Sequence, residues 1–119
     1  MGTHYKDLLV WRKSIDLAEQ IYNHIRMLPK EENYALADQM RRAAISIPSN
    51  IAEGQSRKNT NEFIHYLHIA KGSKSELETQ LIICNKINYL TPEQTGKALA
   101  LCDEIGKMIV ALIDQVSTK

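Results

Sequence analysis

A chain of 119 residues fits one domain around a single core, and its five Gly and three Pro leave little room for the turns of a many-stranded sheet. With one Phe and one Trp, the core must be filled by Leu, Ile, Ala and Met, as in helical proteins. A formal net charge of +1 excludes the whole-molecule field of a dedicated nucleic-acid binder.

The first predicted helix runs from about Leu8 to Met27, with Asp7 as N-cap and Trp11, Ile15, Ala18, Tyr22 and Ile25 as its apolar stripe. It stops at Leu28-Pro29, because proline disfavours helix in the residue before it. The second runs from about Asn33 to Glu53 and ends at Gly54, a residue suited to the position just past a helix. Pro48 inside it predicts a bend and not a break, since the apolar phase is kept from Ala43 and Ile47 to Ile51. Leu36, Met40, Ala43, Ile47, Asn50 and Gly54 form one seam at alternating spacings of four and three, and Ala37, Ala44 and Ile51 form a second stripe beside it. A helix this apolar must be covered on two sides, by its own bundle and by another subunit.

The third helix opens on Asn59 as cap with Glu62 as capping-box partner, and Phe63, Leu67, Ala70, Leu77, Leu81 and Cys84 hold one stripe to about Asn88. Gly72-Ser73 in its middle permits a close backbone approach. The fourth opens on Thr91, Pro92 and Gln94, with Ala98, Cys102, Ile105, Ile109, Leu112 and Val116 inward. Short loops make neighbours antiparallel. The expected fold is all-α: one up-down-up-down four-helix bundle over residues 1–119, bent at the proline. No secretory leader is visible and no apolar run approaches the roughly 20 residues of a membrane span, which predicts a soluble, cytoplasmic protein. Cys84 and Cys102 sit about five residues out of register across the last hairpin, near 7 Å at helical rise. That offset predicts reduced core thiols.

The polar residues on the second and third helices define a candidate network. If that pair turns near Arg57, Arg42 lies near Glu76, with Ser46, Asn50, Glu53 and Ser73 about it, and Arg42 is expected to pair with Glu76. Asn50 is expected to be buried and bonded across helices. Such a network fixes register and partner choice more than it adds stability. No nucleophile–base pair accompanies it, so no catalytic residue is assigned. Glu62-x-x-His65 has the spacing of a di-metal bundle site, but no second copy exists, and neither metal nor cofactor is expected.

Charge is uneven. From Arg41 to Lys74 six Arg or Lys face two acids, whereas from Ser75 to Lys119 four Lys face six acids. Arg41, Arg57, Lys58, Lys71 and Lys74 are therefore the candidate nucleic-acid contacts. Arg57 and Lys58 stand just before a helix N-terminus, which suits a phosphate. Aromatic residues do not interleave with these cations, so base stacking has no platform.

Longer motifs carry a resemblance. They are Leu8-x-x-Trp11 with Tyr22, then Pro29-x-x-Glu32-x-Tyr34-x-Leu36-x-x-Gln39, then the unbroken run Arg42 to Gly54 (RAAISIPSNIAEG). Glu62-Phe63, Ala70-x-Gly72-Ser73-x-x-Glu76-Leu77-x-Thr79-Gln80-Leu81 and Tyr89-Leu90 complete them. With these the chain resembles the 23S rRNA-intervening-sequence proteins, small bacterial four-helix bundles. The resemblance implies a homopentameric ring and little about biochemistry. The family is also similar to accessory proteins of diversity-generating retroelements, which look like basic pentamers that bind nucleic acid, and this chain departs from those in its near-neutral charge. The expected function is a non-enzymatic oligomeric scaffold with weak RNA or DNA binding through a basic face. The alternative is a protein–protein adaptor without nucleic acid.

Overall fold

Four α-helices carry the fold: α1 (Leu9–Ile25), α2 (Leu36–Gln55), α3 (Thr60–Lys86) and α4 (Pro92–Ser117). The computed structural model describes residues 4–118, and among them there is no strand. One-turn 3-10 segments at Tyr5–Asp7 and Lys30–Glu32 lead into α1 and α2. In space the helices neighbour one another in the order α1, α2, α3, α4 and back to α1, and α2 shares its largest seam with α3. Among the described residues no helix is long and apolar enough to cross a membrane.

The helix starts follow local chemistry to differing degrees. At α4 both halves of the capping box form: the Gln94 N–H donates to Thr91 Oγ1 at 3.1 Å, and the Thr91 N–H donates to Gln94 Oε1 at 2.8 Å. At α3 the Glu62 N–H donates to Asn59 Oδ1 at 3.1 Å, but the Glu62 carboxylate turns to Arg57, so half the box forms. Asp7 does not cap α1. It lies in the preceding 3-10 turn, and Leu8 takes the cap position without a side-chain bond. The start of α2 is served from a distance: Glu32 Oε1 accepts from the Leu36 N–H at 3.3 Å while its Oε2 accepts from the Tyr89 hydroxyl at 2.8 Å.

Two expectations about faces need correction. The inward stripe of α1 is Val10, Ser14, Leu17, Ile21 and Ile25, which keeps Ile25 of the expected stripe and lies one residue before its other four members. Ser14 sits fully buried because its hydroxyl donates to the Trp11 carbonyl at 2.7 Å, which removes the cost of burying it. Ile15 and Tyr22 are left substantially exposed. On α2, the second stripe (Ala37, Ala44 and Ile51) is buried inside the single chain, as are Met40, Ala43, Ile47 and Gly54 of the first. The flanking helices α1 and α3 cover them, so their width does not itself require a second subunit.

The glycines also differ from expectation. α2 passes without interruption through Pro48 and Gly54 and is capped at Ser56. Gly54 is therefore not an end signal. A Cβ there would lie 2.8 Å from Tyr66 Cβ and 2.9 Å from Phe63 Cδ1, so this glycine is what lets α3 approach α2. Gly72 meets nothing within 4 Å and plays no such part.

Candidate functional site

The α2–α3 seam holds a short polar relay. Ser46 Oγ and Ser73 Oγ lie 2.8 Å apart across the helices, and Asn50 Nδ2 donates to Ser46 Oγ at 2.9 Å and to the Ser46 carbonyl at 2.8 Å. Asn50 is half-buried and bonds within its own helix, so the link to α3 passes through Ser46. Ser73 is buried on the seam.

The charged members of the expected network go elsewhere. Arg42 does not pair with Glu76: its Nε donates to Asp38 Oδ2 at 2.9 Å, four residues back on the same helix, and the side chain projects into solvent. Arg42 and Arg41 together hold the Asp38 carboxyl below its ordinary value. Glu76 accepts a long bond, 3.5 Å, from Gln80 Nε2. Glu53 binds Arg57 Nη2 at 2.7 Å and belongs to the loop cluster.

The five candidate nucleic-acid contacts do not share one surface. Arg41 and Arg57 are separated by about 24 Å of helix rise along α2 and its end. Arg41 Nη2 donates to the Asn33 carbonyl at 2.8 Å. Arg57 is held by Glu53, by Glu62 at 3.5 Å and by the Tyr66 hydroxyl at 2.9 Å, with its guanidinium 5.1 Å from the Tyr66 ring centroid. Lys58 is exposed. Lys71 and Lys74 belong to the α3–α4 groove, where Lys107, Asp103, Gly106 and Val110 join them. Lys107 lies in the acid-rich end of the chain, and only the packing of α4 on α3 brings it beside Lys71 and Lys74. Its position one residue from a mid-helix glycine was the signal available.

Neither cysteine is an activated nucleophile. Both cysteines are free and buried. Burial raises the Cys84 thiol and pushes Cys102 up to about 12, so neither is a thiolate near neutral pH. Among the described residues no three His, Cys, Asp or Glu side chains are grouped to hold a metal ion. Glu62 of the Glu-x-x-His pair is engaged by Arg57, and His65 packs edge-on against Tyr66.

Residues 6–111 match the family model of the 23S rRNA-intervening sequence protein, which is nearly the whole chain. The chain belongs to that family. It is also similar to a crystal structure of a protein of unknown function from the S23 ribosomal protein family of Bacteroides thetaiotaomicron. The two share 28% identity at a TM-score of 0.82, over 88% of this chain and 98% of that one. No curated protein matches the sequence. Family membership thus agrees with the four-helix all-α fold and assigns no reaction.

Proposed function

We propose that this protein is a non-enzymatic, cytoplasmic scaffold whose bundles, antiparallel and up-down-up-down, bend at Pro48 and assemble as a homopentameric ring. The contacts Met40–Cys84, Ser46–Ser73 and Gly54–Tyr66 run in opposite directions along α2 and α3, which supports the antiparallel arrangement. Pro48 removes one backbone donor from a continuous helix, which supports the bend.

One observation carries the assembly. Ile15 and Tyr22 on α1, Ile45 on α2, Ile69 and Ile83 on α3, and Ile87 just past its end are each between 37% and 48% exposed. By helical phase the first three flank the α1–α2 seam, and the last three flank the α2–α3 seam. Large apolar side chains exposed along both seams that flank α2 are what a subunit contact covers. The test is to replace Ile15 and Ile45 with Asp. Neither is in the core of the isolated chain, so helix content should be unchanged while the assembled mass falls. Unchanged mass would contradict this face as the contact.

A second reading, weak nucleic-acid contact, is favoured by Lys58, Lys71 and Lys107, which reach solvent. Retention of structured RNA should be lost steeply by about 0.2 M salt, as phosphate contacts require. No retention at low salt leaves the protein–protein adaptor.

A further inference from the structure

We infer that the α3–α4 groove is a binding site for a phosphate group, built around the ammonium of Lys74. The side chain of Lys74 is only 14% exposed, although it ends in a charge. Its Nζ makes one ion pair, to Glu78 Oε1, at the long distance of 3.4 Å. An ammonium has three N–H donors, so among the described residues two remain for a further acceptor at the groove.

The fold makes room for this arrangement. Gly106 stands in the middle of α4, where glycine is destabilising relative to alanine. A Cβ at Gly106 would lie 2.8 Å from Lys74 Cε and 3.0 Å from Nζ, so the missing side chain is the seat of the lysine. Lys71, one turn before Lys74, and Lys107, beside Gly106, line the same groove, which has a volume of about 330 Å³. Lys107 is paired with Asp103 at 3.1 Å, and Lys74 with Glu78. Lys71 has no ion pair among the described residues, so the three ammonium groups outnumber the two carboxylates. Val110 closes the apolar side. A groove with one surplus positive charge is complementary to a small oxyanion, and phosphate presents enough oxygens to meet several lysines.

This inference shares Lys71 and Lys74 with the nucleic-acid reading but needs neither a strand nor a ring. Equilibrium dialysis against radiolabelled inorganic phosphate, at constant ionic strength, tests it. Saturable binding is expected, weakened at least about tenfold in Lys74→Met, the loss of one charge-assisted contact. Gly106→Ala should weaken binding to a similar extent while leaving the thermal midpoint equal or higher, because the lysine tip can swing away and the helix gains propensity. Lys86→Ala, exposed at the C-terminal end of α3 and outside the groove, should change nothing. No saturable binding by wild type, or binding indifferent to both groove variants, overturns the site. A single-stranded RNA that competes with phosphate identifies a nucleic-acid backbone as a source of the group. If it fails to compete, the phosphate site stands with a small molecule as its ligand and the nucleic-acid reading loses this surface.

Discussion

Tyr66 packs its Cβ against the backbone of Gly54, within 2.8 Å of where any side chain at that position would begin. This contact sets the distance between α2 and α3 at the loop end of their seam. Gly54→Ala should therefore destabilise the protein by about 1–3 kcal/mol through overpacking, partly offset by the roughly 1 kcal/mol that alanine gains in a helix. Gly72→Ala, at an open position, should stabilise it by about 0.5–1 kcal/mol. Denaturant unfolding of the two variants checks both signs, and a tolerated Gly54→Ala would mean the seam can widen freely.

The Ser46–Ser73 bond is a direct hydroxyl link between those helices. A double-mutant cycle with Ser46→Ala and Ser73→Ala should show a coupling of about 0.5–1.5 kcal/mol, the size of one partly buried hydrogen bond. Asn50→Leu should change stability little, because Asn50 bonds to its own helix, and should alter the oligomer distribution if the relay specifies register. Zero coupling in the cycle would reduce the pair to a contact without consequence.

Acid sensitivity should come partly from His24. Burial lowers its pKa from the ordinary 6.5, and its Nδ1 is enclosed without a partner, so the folded chain prefers the neutral ring. The folded value lies below the unfolded one. The stability this group supports is present above pH 6.5 and declines as pH falls through the lowered folded value. His24→Gln should flatten that decline in a pH series of unfolding midpoints; an identical slope in both proteins would assign the decline to other groups.

Helix number and type were legible because capping and periodicity agree, most fully at Thr91, Pro92 and Gln94. The face of α1 was not, because Ser14 hides its polarity by bonding to its own helix while Ile15 and Tyr22 stay outside. Counting apolar residues cannot distinguish a core stripe from an assembly stripe. Gly54 reads equally as a cap or as a close approach until the neighbour is known. The expected Arg42–Glu76 pair overlooked Asp38, four residues back on the same helix, and short-range partners of this kind, Glu53 for Arg57 among them, outcompete a longer reach. The Lys74–Gly106 seat depends on two helices meeting, which no local pattern encodes.

Assembly is the central claim, and the mass of the purified protein in solution tests it most directly. Light scattering coupled to size exclusion, at micromolar chain concentration, should return five times the 13.6 kDa of one chain. A particle of 13.6 kDa under those conditions would contradict the scaffold and leave the exposed isoleucines without a role.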